Sequence, residues 1–348
     1  MLPLGRDGPE RTPFGHFLSR LEATAHTYTR LMLHRSLLSC VLVLTGPLAC
    51  AHAPRVETTM GKDGSEMVLI PAGTFDMGTD QADLPSVVEW IKGLYPEKLS
   101  GITVQAFEDE IPRHPVRLAS FYIDRYEVTN AQYRGFVRAT RHREPEGMAI
   151  VKADGGFATN AAFRPWSDSS FDADKQPVVA VSRDDARAYC NWAGKRLPSE
   201  AEWEKAARGG LAGKRFSWGD DWPPPHGAGN FAEEAFKRVF TEDRFPAFAG
   251  YDDGKTFPAP VGSFKANGYG LFDMSGNVSE WIEDNYERDY YRHSPADNPR
   301  GPRTGEVAMS RGGSWFYKWA YVLRVAKRED GPPSWRAFDQ GFRCVMSN

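Results

Sequence analysis

The sequence predicts an α+β domain with little regular secondary structure, and three observations predict it. The chain of 348 residues holds 33 Gly and 25 Pro, so turns are frequent. Its 10 Trp, 13 Tyr and 21 Phe, within a 41% hydrophobic fraction, supply bulky anchors for a buried core. Apolar runs are short and of both periods, alternating in some places and helically spaced behind a capping residue in others, with no long Ala/Leu/Glu/Lys tract. No internal repeat or low-complexity tract is present, and a single folded domain over residues 66–348 is the simplest organisation.

Met67-Val68-Leu69-Ile70, the turn Pro71-Ala72-Gly73 and Thr74-Phe75-Asp76-Met77-Gly78 read as a hairpin. Residues 83–112, with acidic Glu108-Asp109-Glu110, read as a surface insertion. The alternation from Val116 to Asp124 reads as one strand. Thr129 is a candidate N-cap for a helix carrying Tyr133, Phe136 and Val137. Residues 140–176 are polar and turn-rich. Ser182, followed by Asp184 and Asp185, opens a second helix that Gly194 closes. Ser199 with Glu202 forms a capping box for a third, which stops at Gly209-Gly210. Loops and short strands dominate beyond residue 210.

Charge and leader bound the partners and the compartment. With 43 Lys+Arg against 46 Asp+Glu the formal charge is -3, which argues against nucleic acid or an anionic membrane surface as the main partner. Residues 1–31 are a polar extension, consistent with a start read upstream of the true one, and residues 32–51 have the form of a signal peptide. His34 and Arg35 precede the apolar run Leu37 to Leu44, then Gly46-Pro47 and the small-residue stretch Leu48-Ala49-Cys50-Ala51. The run is too short to span a membrane comfortably. Cys50 is a lipidation candidate, although Pro47 departs from the lipoprotein pattern; ordinary cleavage beside it is the alternative. Both place the mature chain outside the cytoplasm, periplasmic or secreted, or anchored to the outer membrane if Cys50 is acylated. Residues 1–50 carry five Arg and three acidic residues, so their removal takes the charge from -3 to -5. Residues 52–65 read as a linker.

Further motifs carry a resemblance. The segments from Met67 to Gly78, Tyr126 to Asn130, Ala193 to Glu204, Asn267 to Trp281, Arg311-Gly312-Gly313-Ser314-Trp315 and Gly341-Phe342-Arg343-Cys344 occur in this order in the formylglycine-generating enzyme (sulfatase-modifying factor) superfamily, which the chain resembles from residue 66 to its end. The resemblance implies one compact domain related to the C-type lectin fold, with bound Ca²⁺. Family oxidases convert a sulfatase cysteine to formylglycine with O₂ and a copper-binding cysteine pair. The positions that match that pair are Tyr317 and Val322, and neither can form the thiolate that this metal and redox chemistry needs. No Cys or His lies between Ser314 and Phe342, so copper is not expected.

The resemblance also implies a disulfide between Cys190 and Cys344, with two buried free thiols as the alternative. For calcium it implies one site at Asp273, Gly276, Val278 and Glu280, where the acids would give side-chain oxygens and the others carbonyls, and a second at Asn230, Phe231, Asp253 and Lys255. Solvated loop acids are the alternative for these carboxylates. Either ion would be structural, since no open reactive position is evident. The histidines are isolated in sequence, and Ser314 has no evident His partner.

Ser314, Trp315 and Trp319 are candidates for a groove, with Phe316, Tyr317 and Tyr321 beside them; core packing is the other reading of the aromatics. Two functions stay open. One is an exported, calcium-stabilised, monomeric binding or maturation factor for a protein, peptide or metabolite. The other is an oxidoreductase on the same scaffold with a different active site. Fold alone does not choose between them.

Overall fold

The computed structural model describes residues 56–153, 156–242, 247–317 and 319–348. The N-terminal extension and the expected signal segment with Cys50 lie outside the described residues. Strands are β1 (Thr58–Met60), β2 (Glu66–Ile70), β3 (Gly73–Met77), β4 (His114–Leu118), β5 (Phe121–Asp124), β6 (Gly147–Ala153), β7 (Gly156–Phe163), β8 (Ser279–Asn285), β9 (Ala308–Arg311), β10 (Glu329–Gly331), β11 (Gln340–Gly341) and β12 (Val345–Ser347). Helices are α1 (Leu84–Leu94), α2 (Asn130–Thr140), α3 (Arg183–Trp192), α4 (Glu200–Arg208) and α5 (Glu234–Lys237), and residues from Val56 to Asn348 form one compact unit. The expected α+β class is the observed one.

One antiparallel sheet has the order β1-β2-β5-β12; a second has the order β10-β9-β8-β11, with β11 parallel to β8. In the first sheet Val68 lies opposite Ile123, and Ile123 opposite Val345. All three are fully buried in the main core with Ala201, Trp203, Ala206 and Ala207 of α4. The capping residues act as their spacing predicts: Thr129, Ser182 and Ser199 each close a capping box with Gln132, Asp185 and Glu202. Gly209 ends α4 at φ +56°, and a Cβ there would sit 2.8 Å from the Gly268 nitrogen, so both conformation and space call for glycine.

Several expectations are corrected. The hairpin at 67–78 does not form: β2 pairs with β1 and β5, whereas β3 pairs with β4, because the chain crosses between sheets at Pro71-Ala72. The single strand at 116–124 is two, β4 and β5, in different sheets, parted at Ala119-Ser120. Residues 83–112 are not a loose insertion, since Leu84, Val87, Val88, Ile91, Phe107 and Ile111 form a satellite core. Glu110 there is buried against Arg324. The polar stretch 140–176 contains the β6–β7 hairpin. The fold also begins before residue 66: β1 pairs with β2, and Asp63 and Ser65 belong to a buried network.

Around α4 and at Lys195, buried charges meet opposite charges. All nine residues of α4 are buried, and Glu204 meets Arg208 at 2.7 Å and Arg311 at 2.5 Å, while Glu200 meets Arg328 at 2.8 Å. An ionised group withdrawn from water persists only with such partners. Lys195, with no side-chain exposure, lies 2.9 Å from Asp63 and 2.7 Å from Asp124. Cys190 of α3 and Cys344, next to β12, form a disulfide across 154 residues, which settles their pairing.

Candidate functional site

Beyond β9 the chain turns through Gly312 and Gly313. Gly313 has φ +66°, and a Cβ on it would meet the Leu323 side chain at 2.9 Å. This turn delivers Ser314, fully buried, whose hydroxyl donates to the Asp339 carboxylate at 2.8 Å. Tyr317 is half-buried and its phenol donates to Glu329, at the start of β10. Ser279 reaches the same carboxylate at 3.4 Å. Val322 is a buried aliphatic residue in the 3₁₀ turn Ala320–Leu323. The first matched cysteine position therefore holds a phenol in a polar network, and the second holds part of the core.

The expected aromatic groove is not built from Trp315 and Trp319. Trp315 is 1% exposed and surrounded by Phe171, Phe236, Phe240, Phe257 and Phe338 at ring distances of 5.5 to 6.1 Å. Trp319 is 5% exposed and edge-on to Tyr95 at 4.9 Å. Burying so much apolar surface stabilises the core and leaves no indole face for a ligand. What remains partly accessible is Tyr317, Glu329 and Asp339, with Phe316 and Tyr321 of the aromatic run, all half-buried.

Burial pushes the Glu329 carboxyl up to about 7, with the Asp339 charge adding, against the hydrogen bonds from Tyr317 and Ser279. Burial raises Asp339 as well. A carboxylic acid titrating near neutrality beside a phenol can accept or return a proton on a ligand. Between the ordinary value of 4.5 and about 7 the folded chain keeps a proton on Glu329 that the unfolded chain has released. Stability therefore falls as pH rises through that window. Glu329→Gln is expected to flatten this part of the curve of melting temperature against pH; an unaltered slope would contradict the shift.

The first calcium set is partly brought together. Asp273 adopts φ +59°, and one oxygen accepts from the Gly262 nitrogen at 2.8 Å while the other is buried without a partner. Glu280 is held by Arg343 at 2.7 Å and by the Trp203 indole at 2.8 Å, yet carboxylate oxygens accept more than one partner. Sequence reasoning did not single out Glu127, which is buried and accepts from Asn277 Nδ2 at 2.6 Å and the Val278 nitrogen at 3.1 Å. It lies in the quoted Tyr126 to Asn130 motif, so a signal existed. Burial first, then the charges of Asp273 and Glu280, raise Glu127 well above the carboxylate range. Three buried carboxylates face one guanidinium, Arg343, an excess of negative charge that a dication would neutralise.

In the second set, Asn230 is fully buried and its Oδ1 has no partner. Asp253 accepts from the Phe231 nitrogen at 3.2 Å and the Lys255 nitrogen at 2.6 Å, and the Lys255 side chain is exposed. Burial pushes Asp253 up to about 8, with the neighbouring Glu233 charge adding. Among the described residues no three of His, Cys, Asp and Glu converge to hold a metal by themselves. Backbone carbonyls and the Asn230 amide would have to complete either sphere, as suits a hard cation. Among the described residues, Glu329 and Asp339 had no local sequence signal, because their contacts run to Tyr317 and Ser314 across loops.

The chain matches the sulfatase-modifying factor enzyme 1-like domain over residues 52–348. It is 39% identical to a formylglycine-generating enzyme of Streptomyces coelicolor over 265 residues, covering 68% of this chain and 82% of that one. It is 37% identical to the corresponding enzyme of Thermomonospora curvata, covering 80% and 92%. Among solved structures it is similar to PvdO from Pseudomonas aeruginosa, with a TM-score of 0.61, 29% identity, and 84% and 98% of the two chains covered. By these matches and by its ordered motifs, the chain belongs to the formylglycine-generating enzyme, or sulfatase-modifying factor, family.

Proposed function

We propose that this protein is an exported, calcium-stabilised family member that does not use the cysteine and copper route, and that it acts as a binding or maturation factor for a protein, peptide or small molecule. The observation that carries the reading is the replaced site. Tyr317 is tied to Glu329, Val322 is buried, and the only cysteines among the described residues are joined to each other. Without a thiolate the chain lacks both the copper ligand and the electron-cycling group that this route requires. The half-buried surface at Tyr317, Glu329 and Asp339 suits a ligand recognised by hydrogen bonds.

Purified mature protein, given a Cys-x-Pro-x-Arg peptide with copper, a thiol reductant and air, is expected to yield no aldehyde by mass spectrometry. Aldehyde formation would overturn the reading. The Glu329 and Tyr317 contact favours one second reading, an enzyme whose maturation step transfers a proton at this pair. Turnover of a ligand that Tyr317→Phe abolishes, with binding retained, would support it.

Calcium enters this reading as a structural ion. Asp273, Glu280, and the carbonyls of Gly276 and Val278 would hold one ion, and Asn230, Asp253, and the carbonyls of Phe231 and Lys255 the other. Free Ca²⁺ at about a hundred times its dissociation constant is expected to add about 2.7 kcal/mol per site to stability. Thermal melts in chelator and in Ca²⁺ check this, and coincident curves would contradict it.

A further inference from the structure

We infer that Glu233 is a third side-chain ligand of the second cation sphere, beside Asn230 and Asp253. The inference rests on the calcium reading above and adds a residue to it. Glu233 is fully buried just before the single turn α5. Its Oε2 accepts from the Ala235 nitrogen at 2.8 Å, while its Oε1 is buried and no donor group of the chain reaches it. Its carboxyl is in hydrogen-bond contact with that of Asp253. Asn230, two residues before the neighbouring Ala232, has used its amide nitrogen on Phe257 O at 3.0 Å and Asn277 Oδ1 at 3.2 Å, and its Oδ1 also has no partner. No Lys or Arg among the described residues pairs with Glu233 or Asp253; the nearby Arg238 is taken by Asp252.

Two carboxylates in contact must share a proton or a cation, since both cannot stay ionised and unscreened. A proton shared between the two carboxyls can satisfy Glu233 Oε1 but leaves Asn230 Oδ1 unsatisfied, which is costly at full burial. A Ca²⁺ ion takes six to eight oxygens at once and would satisfy both while cancelling the repulsion. The donors are all oxygen, which selects a hard dication over zinc or copper. A helix cap alone does not account for the residue: capping uses one oxygen, Oε2, and a glutamine would serve as well.

That difference sets the test. The full mature chain, its Glu233→Gln and Asp253→Asn variants, and Asp273→Asn as a marker of the other site are titrated with CaCl₂ by calorimetry and melted with and without Ca²⁺. The expected result is two ions for the parent. Glu233→Gln keeps one ion at parental affinity and binds the other at least about tenfold more weakly, as loss of a charged ligand implies. Asp253→Asn is expected to lose that same ion, and Asp273→Asn the other. Without Ca²⁺, Glu233→Gln should melt no lower than the parent, because the cap survives and the carboxylate repulsion is gone. Two ions at parental affinity in Glu233→Gln would reduce Glu233 to a cap and overturn the inference while leaving calcium in place. No Ca²⁺ binding by the parent would overturn both.

Discussion

Lys195→Met is expected to lower the unfolding free energy by about 3–5 kcal/mol, the usual cost of stranding buried charge. Lys195 has no exposed side-chain surface, and Asp63 and Asp124 have 1% and 2%. Its ammonium donates to both carboxylates and to the Ser65 hydroxyl. The aspartates take other donors too, Tyr189 OH at 2.7 Å and the Cys344 nitrogen at 2.9 Å, but those bring no full positive charge. Methionine matches the stem of lysine, so the loss reports the missing charge and not a cavity. Urea unfolding followed by circular dichroism measures it. A loss below about 1 kcal/mol, the scale of an exposed pair, would show that water reaches the network.

Removing the disulfide is the second large effect. A closed loop of 154 residues restricts the unfolded chain by about 5 kcal/mol in the chain-entropy account, and measured losses run at about 2–5 kcal/mol. Cys190→Ala with Cys344→Ala is expected to fall in that range. Both side chains are fully buried, and alanine leaves no buried hydroxyl unpaired. Reductant should lower the melting temperature of the parent and leave the double variant unchanged; an effect on both would place the reductant's action elsewhere. Combining this change with Lys195→Met should cost less than the two losses added, because the Cys344 nitrogen already binds Asp124.

The helices were legible because their signals are local. Thr129, Ser182 and Ser199 each hold their boxes within three residues. Strand pairing was not, because Met67 to Ile70 finds its partners at Phe121 to Asp124, and nothing in either run names the other. A turn as strong as Pro71-Ala72-Gly73 suggests a hairpin, yet here it moves the chain to another sheet. The site divides in the same way. The loss of the cysteines is visible at Tyr317 and Val322, since it needs only their identity. The partners that give Tyr317 a chemical role, Glu329 and through it Asp339, depend on loop geometry. For Trp315 and Trp319 groove floor and core packing both stayed open in the sequence, because a dense aromatic run fits either, and only burial separates the two.

The first sheet has one further consequence, for the order in which the protein can be assembled. β12 closes a sheet begun near residue 58, Cys344 carries half of the disulfide, and Arg343 is the guanidinium among the buried carboxylates. All of these lie within residues 343–347. A chain made only as far as residue 342 lacks the strand, the half-cystine and the guanidinium that seal and neutralise its interior. Folding of this domain therefore completes only once residues 343–347 are available, whatever the order in which the earlier elements form.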